Sequence, residues 1–148
     1  MSTARSVAQH VLVLAVRKWV AAAARGVVKC YAQDPSYTAV DKRLLRNKGV
    51  TVLEDPRGFL EVDDDSVVIS ISPTVPVRQI VADIARPMVL IWDRGVEVEE
   101  EAVLCTDPVS KRVEEMMKDY IELPWSPKAG SFDMLAVYVR KDTYQGEA

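Results

Sequence analysis

Apolar runs alternating with amphipathic segments predict an α/β fold: three layers, Rossmann-like, with a mostly parallel sheet of about five strands and helices on both faces. Two observations carry this. The runs at 67–69, 88–91 and 135–137 are unbroken rather than alternating, the pattern of strands covered on both faces. Between such runs lie segments with apolar residues at i, i+3, i+4 and i+7, an order that favours right-handed βαβ units. At 148 residues the chain is long enough for one domain with a real core, expected over 1–141, ahead of a polar tail at 142–148.

Taken in order, the first element is a helix over 3–24, with Val7, Val11, Leu14 and Ala15 as its buried stripe and Arg5, Gln9 and Lys18 toward water. The stretch 11–16 is also good strand material. Arg25-Gly26 supplies a helix stop. A strand over 27–32 ends at Asp34-Pro35, read as a strand-to-helix junction. There the carboxylate accepts from the first free N–H groups and proline tolerates the first turn. The next helix carries Tyr37, Val40, Leu44 and Leu45 on one face and ends at Lys48-Gly49. A short strand over 50–53 and turn chemistry at 55–58 follow. Phe59, Leu60 and Val62 cover an edge of the core, and Asp63-Asp64-Asp65 is a solvated loop.

The third strand, 66–71, breaks at Ser72-Pro73-Thr74. A helix with Val77, Ile80, Val81 and Ile84 on one face comes next, with Thr74 as N-cap and Pro76 in its first turn. Arg86-Pro87 ends it, and a strand over 88–92 closes at Asp93-Arg94-Gly95. The acid-rich stretch 97–101 reads as an exposed connection. Thr106-Asp107-Pro108 caps a last helix whose buried face is Val109, Val113, Met116, Met117 and Tyr120. Pro124-Trp125-Ser126-Pro127 is a rigid loop, and 134–139 the last strand.

The formal charge of −3 gives no general attraction to nucleic acid or an anionic membrane. Cys30 and Cys105 stand in no pairing motif; Cys30, in an apolar run, reads as a core thiol. A reducing cytoplasmic or nuclear location follows. Arg17-Lys18 interrupts the apolar run at 11–16, which is too short to span a bilayer, and no cleavage site follows it. No transmembrane or secretory segment is therefore expected. His10, the single histidine, reads as a surface or half-buried helix residue, and no metal-ligand spacing occurs.

Three strand ends are polar: Asp34-Pro35, Ser70 to Thr74, and Asp93-Arg94. In a parallel sheet all three share the carboxyl edge, where ligands bind in open α/β folds. Asp34 can accept from a hydroxyl. Ser70, Ser72 and Thr74 offer polar atoms beside a helix N-terminus, and Arg94, next to Asp93, can hold an anion. Tyr37 is the aromatic candidate on its helix face. The competing reading makes Asp34 and Thr74 caps, Tyr37 a packing residue, and Arg94 a partner of Asp93 or of the acids near 97. No catalytic set emerges, which leans the reading toward a binding protein rather than an enzyme.

Several blocks occur in a telling order. Tyr31-Ala-Gln-Asp-Pro-Ser-Tyr-Thr-Ala-Val-Asp41, Leu44-Leu45 and Gly49-Val50 come first. Val77-Arg-Gln-Ile80, Ala85-Arg-Pro87, Ile91-Trp92, the Ser110-Lys-Arg-Val helix and Phe132-Asp-Met-Leu-Ala-Val-Tyr-Val139 follow. Together they resemble the SRR-like (Sensitivity to Red Light Reduced) domain family, fungal-type, over roughly residues 5–141. The resemblance implies a regulatory role, in circadian and light signalling in plants and with links to haem metabolism and microtubule behaviour elsewhere. It implies no catalytic assignment.

Family members generally open with a strand ending in a Gly-Leu-Gly-Ser-like turn, whereas here no glycine precedes Gly26. Such a turn lets a phosphate approach a helix N-terminus. The expectation is a sheet without that first strand: the gap is filled by 11–16 or a partner chain, or the sheet is rearranged, or the chain is a shortened product. The function expected is regulation by binding a protein partner or a small ligand, with no nucleic acid or membrane involved and with self-association through the gap as a further route. The cofactor stays open between none, haem and a nucleotide. A nucleotide- or cofactor-dependent enzyme on a Rossmann-like scaffold is the alternative.

Overall fold

The computed structural model describes residues 3–94, 106–124, 132 and 134–144. The chain forms two compact units, 1–61 and 62–148. Gly95, the stretch 97–101, Cys105 and the loop at 125–127 lie outside the described residues.

The first unit contains α1 (Thr3–Ala24), β1 (Tyr31–Ala32), α2 (Ala39–Asn47), β2 (Thr51–Val52) and α3 (Arg57–Leu60). β1 and β2 pair in parallel, Tyr31 opposite Thr51 and Ala32 opposite Val52, so β1-α2-β2 is a crossover of the kind the pattern predicts. Leu45 and Val50 are its buried hydrophobics among the described residues. Gly49, just past α2, has φ of +79°, and the Arg17 guanidinium lies 3.2 Å from where a Cβ would stand. A side chain there would be both strained and crowded.

Several expectations for this unit change: Tyr37 precedes α2 instead of lying on it, and Val40, Leu44 and Leu60 are exposed. The strand over 27–32 contracts to two residues, and Val27 is 98% exposed. Arg25, at φ of +50°, is the left-handed residue after α1 in place of Gly26. The stripe expected to be buried on α1 instead faces outward: Val7, Val11 and Ala15 are exposed and Leu14 is half-buried.

The second unit contains β3 (Val67–Ser70), α4 (Val77–Ile84), β4 (Val89–Asp93), α5 (Lys111–Met117), β5 (Tyr120–Leu123) and β6 (Leu135–Arg140). Its four-stranded sheet has the order β3-β4-β6-β5. β3 and β4 are parallel, while β6 runs antiparallel to both of its neighbours. The molecule is thus α/β, but with a mixed sheet of four strands and a parallel pair rather than one mostly parallel sheet of five. An inner position explains why Val89, Leu90, Ile91 and Trp92 are all buried: each face of β4 is covered and each edge is paired.

Val81, Ala82, Leu90, Trp92, Val113, Met116 and Tyr120 form the core cluster. Fully burying a side chain such as Leu90 or Val81 contributes about 1.5–3 kcal/mol. Leu90 and Trp92 are two residues apart and share a sheet face, and both α4 and α5 pack on it. Among the described residues of this unit, α4 and α5 therefore share one face of the sheet rather than dividing between both. Tyr120 is buried as the spacing suggests, yet it opens β5 instead of closing the last helix. Its hydroxyl donates to the Pro87 carbonyl.

Candidate functional site

The parallel pair fixes one end of the second unit. Ser70 stands opposite Trp92, so the chain leaves β3 and β4 at the same carboxyl edge. Antiparallel β6 begins there, with Asp93 opposite Leu135 and the Arg94 amide donating to the Met134 carbonyl at 2.9 Å. This edge brings together Ser70 (buried), Ser72 and Thr74 (both exposed), Asp93 and Arg94. Ser72 sits at φ of +47°, a left-handed backbone that costs a β-carbon-bearing residue about 1 kcal/mol or more.

The residue that organises this edge is one the sequence reading passed over. Arg78, in the first turn of α4, is only 5% exposed. Its Nη1 donates to the Asp107 carbonyl at 2.6 Å and lies 3.5 Å from the Asp107 carboxylate. Its Nη2 donates to the Asp93 carbonyl, and its guanidinium lies 5.7 Å from the centre of the Trp92 ring. Asp107 also accepts from the Arg78 backbone amide at 3.0 Å, capping α4 from 29 residues away. Burial pushes the Asp107 carboxyl above its ordinary range, against the pull of the Arg78 amide and guanidinium.

Two predicted caps move accordingly. Thr74 does not cap α4; the N-cap position is Pro76, which makes no side-chain cap bond. Asp107 does not cap α5, whose N-cap position is Ser110. A buried charge at a helix start was the signal available in the sequence: an arginine among Val77, Ile80 and Val81 needs an acid, and Asp107 stood unassigned to it. Arg94 pairs with Glu122 on β5 at 2.8 Å rather than with Asp93, and the acids near 97 lie outside the described residues.

Asp34 and Tyr37 belong to the first unit. Asp34 accepts from the Ser36 amide at 2.8 Å and the Ser36 hydroxyl at 2.6 Å, closing its own turn rather than starting α2. The start of α2 is a capping box: the Asp41 amide donates to Thr38 Oγ1 at 3.2 Å, and the Thr38 amide to Asp41 Oδ2 at 2.9 Å. The Thr-x-x-Asp spacing at 38–41 carried that signal. Tyr37 packs edge-on against His10, with ring centroids 5.9 Å apart. Burial, then Asp34, Asp41 and Cys30, push its hydroxyl up to about 12.

A model of the SRR1 domain matches residues 1–139. The chain belongs to the SRR1 domain family. Comparison with curated proteins and with solved structures finds no match.

In this SRR1 domain the blocks that carried the resemblance have physical roles. Val77-Arg-Gln-Ile80 supplies the buried Arg78, and Ile91-Trp92 supplies the ring beside it. Ala85-Arg-Pro87 supplies the carbonyl that accepts from Tyr120. Two of the helix starts, and two of the residues that could reach a haem iron, are already engaged within the chain. A phosphate needs free N–H groups at a helix start, and the Asp41 and Asp107 carboxylates are already at the starts of α2 and α4. A haem needs an axial ligand; burial favours the protonated thiol at half-buried Cys30, and the His10 ring is packed on Tyr37. Among the described residues no group of three His, Cys, Asp or Glu side chains converges to hold a metal.

Proposed function

We propose that this SRR1-domain chain is a regulatory protein that binds a partner or small ligand at the carboxyl edge of β3 and β4, without turning over a substrate. One observation supports the reading above the others. The buried cation of that edge, Arg78, is fully engaged by the chain itself, through Asp107, the Asp93 carbonyl and Trp92. An arginine so held fixes the shape of a surface; it is not poised to meet a developing charge. Exposed Ser72 and Thr74, with half-exposed Arg94, are then the recognition groups of the rim. Regulation in circadian or light signalling, or linked to haem, is the setting the family resemblance supports.

A thermal-shift screen against nucleotides, methyl-donor cofactors and haem tests this. Any ligand bound by the native state alone raises the melting temperature in a saturable way. The expected result is no saturable shift with ATP, NAD or S-adenosylmethionine. A saturable shift with one of them that Arg94→Ala removes would overturn the reading in favour of the nucleotide-dependent enzyme.

A further inference from the structure

Charge is divided unevenly between the two units. The first holds ten lysines and arginines against five acids, a net of +5, and the second nine against seventeen, a net of −8. The overall −3 hides this division. From Thr3 to Gln33 no acid occurs, while Arg5, Arg17, Lys18, Arg25 and Lys29 do.

The same region carries an uncovered apolar face. Val7, Val11, Ala15, Trp19 and Ala22 recur at i, i+4, i+8, i+12 and i+15, which places them along one side of α1, and all five are exposed. Trp19 is 65% exposed. The opposite side of α1 is tied down: Arg17 donates to the Lys48 carbonyl, and His10 packs on Tyr37. Val7–Ala24 is long and apolar enough to cross a membrane, and none of it is buried. Crossing would strip Arg17 and His10 from their partners and carry Lys18 into hydrocarbon, which is costly. Lying flat keeps both partners, and Lys18, which stands within this face at i+7 from Val11, carries its ammonium to the lipid phosphates along its aliphatic stem.

We propose that the outward face of α1 is an interfacial anchor that lies on an anionic lipid bilayer. Valines and a tryptophan gain free energy in the headgroup–acyl boundary, whereas they gain little against a nucleic-acid backbone. Lys18, Arg25 and Lys29, all exposed, face the lipid phosphates.

Flotation of the full chain with vesicles tests this, using phosphatidylcholine alone or mixed with phosphatidylserine, at low and high salt. The expected result is about tenfold more protein floating with the anionic vesicles, lost at high salt. The variant Val11→Glu/Trp19→Glu should stay in the soluble fraction. Lys18→Glu/Arg25→Glu/Lys29→Glu should fall to the level seen with phosphatidylcholine; its three substitutions are at exposed sites, so it carries the test if the first variant fails to fold. No preference for anionic vesicles, or undiminished flotation of the triple variant, overturns the proposal. So does a lipid-free dimer that Val11→Glu/Trp19→Glu renders monomeric, since the face would then belong to a second copy.

Discussion

The two units have the same kind of β-helix-β crossover, yet only one of them builds a core around it. In the first, β1 and β2 are two residues each, and Leu45 and Val50 are the buried hydrophobics described. In the second, β4 is paired on both edges, and it buries four consecutive side chains. A strand with a single neighbour gains little burial, and a two-stranded sheet is marginal by itself. The first unit relies instead on polar devices, some within a turn and some reaching across the unit. These are the Thr38–Asp41 box, the Asp34 turn, the Arg17–Lys48 bond, and Gln33, which donates to Asp55 and accepts from the Gly58 amide at 2.6 Å. The comparison teaches that the crossover sets topology, while strand neighbours set how much apolar surface leaves water.

The most severe way to break this contrast is Arg78→Ala. It leaves Asp107 buried without its cation, while the cap from the residue-78 backbone amide to that carboxylate stays, so urea denaturation should show a loss of about 3–5 kcal/mol in the second unit. Hydrogen exchange in α2 should not change. Asp107→Asn should cost less than Arg78→Ala, because burial already disfavours the charged form of that carboxyl. The sign is checkable. A carboxyl raised in the fold binds its proton more tightly than in the unfolded chain. Its effect therefore lowers stability as pH rises from the ordinary value of 3.8 through the raised one, and Asp107→Asn should flatten that slope.

A smaller effect sharpens the comparison from the other side. Thr38→Ala removes the box that starts α2 and should cost about 1 kcal/mol, read as faster exchange of the amides in α2 with those of β4 and β6 unaffected. Least visible at neutral pH is an alkaline pair. Tyr37 in the first unit and Tyr120 in the second are both pushed up to about 12, chiefly by burial, from an ordinary 10.0. Each keeps its proton in the fold after the unfolded chain has lost it, so their stabilisation is complete below about 10 and drains away through about 12. Tyr37→Phe should remove the alkaline loss in the first unit with little change at pH 7. Tyr120→Phe also gives up the bond to the Pro87 carbonyl and should cost about 1 kcal/mol already at neutral pH.

Much of the second unit was legible. Unbroken apolar runs located β3, β4 and β6 to within a residue or two, and the spacing of Val77, Val81, Val113 and Met116 located α4 and α5. Tyr120 shows the limit: its spacing from Val113 and Met116 fits a helix, and its burial is as expected, but pairing with β6 makes it a strand. The Val7–Val11 stripe shows the opposite limit, because periodicity says which residues share a side of a helix and not what that side meets. Of the candidate site, Ser70, Ser72, Thr74, Asp93 and Arg94 do share an edge, while Asp34 and Tyr37 fall in the other unit. Arg78, Asp107 and Glu122 were missed because each finds its partner at least fifteen residues away.

By itself, then, the sequence determined the family, the α/β alternation and most of the residues that leave water, since all three are written in local spacing and composition. Tertiary structure alone decided that β6 enters beside β4 in the antiparallel sense, that Asp107 rather than Thr74 closes α4, and that the stripe on α1 faces outward. The reason is physical. Each of these depends on a partner far along the chain, and no local pattern encodes the energy of meeting it.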